Sequence, residues 1–165
     1  MPAKKAEPSP FNVNDSLIVA YATNDRINRY LIDSLPPAAW TATPPGGKGR
    51  TIAAMVAHIN NVRLMWLKSA GWPLDSVRKL DGDTCSKKEA SEALVLSSEA
   101  VRDLLKASLA GGGRIKGFKP DVGSFLGYLL AHDAHHRGQI TMLARQLGHP
   151  LSQRAMYGLW EWGTR

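Results

Sequence analysis

The sequence predicts an all-α protein: a four-helix bundle with a short C-terminal segment packed on it. Three observations carry that prediction. Four long stretches repeat apolar residues at helical spacing. Each lies between a capping candidate and a proline or glycine breaker, and none keeps the period-two alternation of a strand. The 165 residues suffice for one well-packed domain, expected over 13–165, after a disordered N-terminal tail over 1–12.

The first helix is expected through "LIVAYATNDRINRYLIDSL", capped by Asn14 or Asp15 and stopped by Pro36 and Pro37. Leu17, Ile18, Tyr21, Ile27, Leu31 and Leu35 form its apolar stripe. After the turn-rich "TPPGGKG", Thr51 caps a second helix that ends at Gly71, with Pro73 beyond. Ser86 and Glu89 form an S-x-x-E capping box that opens a third helix, which runs to about Leu109 before "GGG". A fourth begins near Asp121 and continues to Leu147. The last segment, "SQRAMYGLWEWG", carries Tyr157, Trp160 and Trp162, and the two tryptophans are expected to fasten it to the bundle.

Composition narrows the function classes. No apolar run reaches the length of a membrane span, and the lysine-bearing N-terminus has no apolar core behind it, so a cytoplasmic protein is expected. The formal charge of +7 is spread through Lys48, Arg50, Lys87, Lys88, Lys116, Lys119, Arg137, Arg145 and Arg154 rather than massed with aromatics. That favours a solvated basic surface over a nucleic-acid interface. A single cysteine, Cys85, excludes an internal disulfide and an all-cysteine metal cage. With no adjacent histidine and no helix-core context, Cys85 is not expected to be a nucleophile, and His149 reads as a surface loop residue.

Three of the five histidines fall within "AHDAHHRGQI". At about 100° per residue, His136 lies roughly 40° from His132 and one turn further on. Phe125, Tyr128, Leu129, Ile140, Leu143 and Leu147 share that direction, so both histidines belong to the apolar stripe. His135 falls at its edge. Two imidazoles at i, i+4 can reach one metal ion, although a hydrogen-bonded buried pair would give the same pattern. His58 adds a third on the second helix, on a face shared with Met55, Val62, Met65 and Trp66. Three imidazoles from two helices favour a metal site in the bundle core with a coordination position left open. The loose H-D-x-x-H also invites comparison with zinc peptidases. Those place a glutamate where Asp133 stands, so Asp133 is expected to orient a ligand or to face solvent.

"AHDAHHRGQITMLARQLG", with His58 on an earlier helix, resembles the DinB-like superfamily, which includes the YfiT-type thiol transferases. The resemblance covers nearly the whole chain from about residue 14. It implies an up-down-down-up bundle, commonly a homodimer, and a divalent metal, zinc or nickel, held by His58, His132 and His136. Gly138, costly in mid-helix, would mark a close helix contact. Gln139 is placed to orient a ligand or a bound water, and a plain buried amide fits the same position. Characterised branches transfer bacillithiol, mycothiol or glutathione to electrophiles, or isomerise maleylpyruvate with such a thiol. The resemblance thus implies a metal that presents a thiolate cosubstrate. Leu64, Leu67 and Trp72 lie beyond the tidy stripes and predict a dimer surface, with Trp66 placed either there or in the core. The alternative function is a non-catalytic metal-binding stress-response dimer.

Overall fold

A computed structural model describes residues 10–165. The chain forms α1 (Val13–Ser34), α2 (Pro37–Trp40), α3 (Ile52–Ala70), α4 (Lys87–Ala110), α5 (Val122–Gln146) and α6 (Gln153–Gly158), with no strand among the described residues. Most of the expected tail, residues 1–9, lies outside that description. Capping starts earlier than expected: Asn12, not Asn14 or Asp15, accepts the backbone N–H groups of Asn14 and Asp15. Thr51 and Ser86 cap α3 and α4 as the sequence predicts, the Ser86–Glu89 capping box is complete, and Asp121, near which the fourth helix is expected to begin, caps α5. Gly71 ends α3 at φ 76°, a left-handed conformation that a glycine adopts without strain. Pro36 and Pro37 stop α1, and Pro37 then opens the one-turn α2, which the sequence reading did not include.

Two apolar clusters reveal the direction of each helix. One joins Leu31 and Ile32 of α1 and its C-cap Leu35 to Ile52–Ile59 of α3, Ala90–Leu94 of α4 and Ile140–Ala144 of α5. The other joins Tyr21 of α1 to Leu67 of α3, Ala100–Leu105 of α4 and Val122–Leu129 of α5. α1 and α5 therefore run from the second cluster to the first, while α3 and α4 run the opposite way. The order is up-down-down-up. Because α3 and α4 are parallel, the chain must cross back along the bundle between them. Asn61 pins that crossover by donating to Leu80 O at 2.8 Å and accepting from Leu80 N at 2.9 Å.

Between the clusters lies a buried polar belt. Asn24, Asp25 and Asn28 of α1, Arg63 of α3, Ser97 and Ser98 of α4, and Asp133 of α5 are all buried there. The belt positions the site, because His58, His132 and His136 sit on α3 and α5 at the same level.

Several expectations are corrected by the packing. Leu67 is fully buried, so it is core rather than dimer surface, and Trp72 is partly buried against the second cluster. Met65 is 51% exposed and leaves the stripe assigned to His58. Cys85 is in the core, and Trp40 Nε1 donates to its carbonyl at 2.8 Å. Trp160 and Trp162 are exposed and do not anchor the C-terminal segment. That segment is held instead by Leu151 and Leu159 on the first cluster, and by Arg165, whose guanidinium stacks on the Tyr30 ring at 3.7 Å. Gly158 lies against the same ring, where an added Cβ would overlap it.

Candidate metal centre

α3 supplies His58, and α5 supplies His132 and His136 one turn apart, so facing helices aim three imidazoles at one point. His132 Nε2 lies 3.4 Å from His58 Nε2 and 3.2 Å from His136 Nε2. All three ligand atoms fall within 4.8 Å of one another, forming a group that could hold a metal ion. Four ligands at the usual zinc–nitrogen distance of about 2.05 Å, arranged tetrahedrally, are separated by about 3.3 Å. The two separations from His132 match that edge. The donor set, three borderline-soft nitrogens, suits a first-row transition metal or zinc better than magnesium or calcium.

The surroundings of His58 and His136 favour the neutral imidazole. His58 is held down to about 4 by burial first, then by Arg50 and the two neighbouring imidazoles. Burial also lowers His136, against an opposing hydrogen bond with Gln139. The neutral imidazole is the form a metal requires. His136 Nδ1 donates to Gln139 Oε1 at 2.8 Å, which directs the Nε2 lone pair at the cluster. His132 Nδ1 faces Asp133 Oδ1 at 3.6 Å, too long for a formed hydrogen bond but close enough to orient the ring electrostatically. Tyr128 lies near-parallel to His132, with ring centroids 5.9 Å apart.

Asp133 is buried, which settles the alternative between an orienting and a solvated role. Its Oδ2 accepts from Asn24 at 2.8 Å, Asn28 at 2.7 Å and Arg63 at 3.0 Å. Burial alone would raise its pKa, but the Arg63 charge and these hydrogen bonds prevail and hold it at about 2. Arg63 also donates to Asp25 Oδ1 at 2.7 Å, and Arg137 donates to Asn24 and Asn28 at 2.7 and 2.6 Å. Arg137 is therefore tied into the belt rather than free for a ligand.

The sequence reading did not single out Asn24, Asp25, Asn28 or Arg63. A signal was present: Tyr21, Asn24, Asn28 and Leu31 follow the 3-4-3 spacing of core positions, and two of them are polar. Other candidates stay outside the cluster. His135 is exposed, Tyr157 is 64% exposed, and His149 is half-buried near the end of α5. Gly138 meets nothing within 4 Å, so no close helix contact explains it. Burial, then Glu89, pushes the Cys85 thiol up, away from a reactive thiolate.

Fold and site together define a helical-bundle protein with a three-histidine cluster able to hold a metal ion. The DinB family model matches residues 11–162, and the chain belongs to the DinB family. Comparison with curated proteins and with solved structures gave no match.

Proposed function

We propose that the protein is a metal-dependent enzyme that transfers a low-molecular-weight thiol to an electrophile, with His58, His132 and His136 as ligands of zinc or nickel. The observation that carries this reading is the convergence of three imidazoles from two helices, with His132 Nε2 at 3.4 and 3.2 Å from the other two. Three protein ligands leave a position open, as in catalytic rather than structural sites. When bound, such an ion lowers the pKa of a coordinated thiol and so supplies a nucleophile at neutral pH. The chain's own residues do the rest. Gln139 and Asp133 orient the ligand rings, and Arg63 with Asn24 and Asn28 fixes Asp133.

A groove beside the cluster, lined by Arg50, Met55 and Gln139 among others, favours catalysis over a non-catalytic metal-binding role. Metal content after purification, followed by a screen of thiols against a chromogenic electrophile, tests the proposal. About one ion per chain and conjugation that stops on metal removal are expected. A fully loaded protein that conjugates no thiol would leave the non-catalytic alternative. We also propose a homodimer, supported by exposed Phe11, by Val19 and by Trp162, the last two lining one groove on α1. Light scattering at micromolar concentration should give twice the chain mass.

A further inference from the structure

We propose that the groove beside the histidine cluster is a subsite for the carboxylate of a small organic anion, selected by Arg50. This rests on the metal-site reading above and extends it to the charge of the substrate. The groove, of about 310 Å³, has Arg50, Gln139 and Gln146 as its polar wall and Met55, Met142 and Leu143 as its apolar wall. It adjoins the cluster through two of these residues. Gln139 is the partner of His136, and Met55 lies one turn before His58 on α3.

Among the described residues Arg50 is the only charged group in the groove lining, and no carboxylate faces its guanidinium there. It is exposed and forms no ion pair among the described residues. It shares the groove lining with Gln139, whose Oε1 is bound to His136, and that places it beside the cluster. Gly49, at φ 105°, holds the turn that presents Arg50, a backbone conformation a residue with a Cβ rarely adopts. A guanidinium fork suits a planar carboxylate, which it binds through two parallel hydrogen bonds. With its Oε1 committed to His136, the Gln139 amide offers N–H donors to the same ligand. The apolar wall takes the carbon body. A ligand with a soft donor at one end and a carboxylate at the other fits both features together.

The test uses the full chain loaded with cobalt(II), whose visible bands report a new ligand at the metal. The probes are 3-mercaptopropionate and 2-mercaptoethanol, which offer the same sulfur with and without a carboxylate. The wild type should bind the carboxylate probe about tenfold more tightly, the equivalent of one charge-assisted hydrogen bond. Arg50→Ala should abolish that preference and Arg50→Glu should reverse it, while affinity for 2-mercaptoethanol changes by no more than about twofold. Equal affinities in the wild type, a preference that survives Arg50→Glu, or cobalt bands that answer to neither thiol would overturn the subsite while leaving the metal site standing. A chain that takes up no cobalt would overturn both.

Discussion

Arg63→Met retains much of the length and volume of the arginine side chain and deletes its charge. The arginine side chain is 1% exposed, and the carboxylates it bridges, Asp25 and Asp133, are 4% and 2% exposed. Removing one partner of a buried ion pair costs about 3–5 kcal/mol, because the remaining charge is left uncompensated in a poorly polarisable interior. Two compensations remain. Arg29 still contacts Asp25 at 3.1 Å, and Asn24 and Asn28 still donate to Asp133. The expected loss is therefore near the lower end, about 3 kcal/mol. With a urea m value of about 2 kcal/mol per molar, the unfolding midpoint should fall by about 1.5 M. Unfolding would be followed at pH 7 by tryptophan fluorescence and circular dichroism, with a chelator present so that metal linkage does not enter. Adding Asp25→Asn and Asp133→Asn removes the stranded charges and should return more than half of the loss. A loss below about 1 kcal/mol, or a triple variant no more stable than Arg63→Met, would refute the reasoning.

Three further outcomes follow from the geometry. His136→Ala should sharply reduce bound metal and His135→Ala should not, since His135 is exposed and outside the cluster; equal losses in equilibrium dialysis would exclude the ligand set. Gln139→Leu removes the acceptor from His136 Nδ1 and should weaken metal binding by about 10–100-fold, as a competitive chelator titration would measure; unchanged affinity would mean that the hydrogen bond does not orient the ring. Glu89 is held below its ordinary pKa by the hydrogen bonds it accepts from the Ser86 backbone and side chain. A depressed carboxyl pKa stabilises the fold above the unfolded value of 4.5, and that contribution disappears as pH falls through the lowered folded value. Thermal unfolding of Glu89→Gln should thus differ from wild type at pH 7 and converge with it as pH falls through the lowered folded value; a constant gap would assign the effect to packing.

Much of the fold was legible locally. Helix starts at Thr51, Ser86 and Asp121 follow from short polar side chains that satisfy free N–H groups, an interaction complete within four residues. The pairing of His132 with His136 is equally local, because helix geometry alone brings i and i+4 together. Errors arose where a residue's fate depended on another element. Met65 shares the helical phase of a core position yet faces solvent, because a stripe fixes an angle and not what covers it. Trp160 and Trp162 look like anchors by size, but the segment is fastened by smaller residues and by Arg165 on Tyr30.

By itself the sequence determined the four long helices, the caps of three of them and the pairing of His132 with His136, since each depends on periodicity or on contacts within a turn or two. It also named His58 as the third candidate from its helix face. Only the tertiary structure decided that His58 meets that pair, with Nε2 atoms 3.4 Å apart across 74 residues of chain. It alone decided that Asp133 is buried against Arg63, two residues 70 positions apart. Charges enter a bundle's interior only when partners from other helices compensate the lost hydration, and where those partners stand is settled by packing between helices rather than by spacing along one.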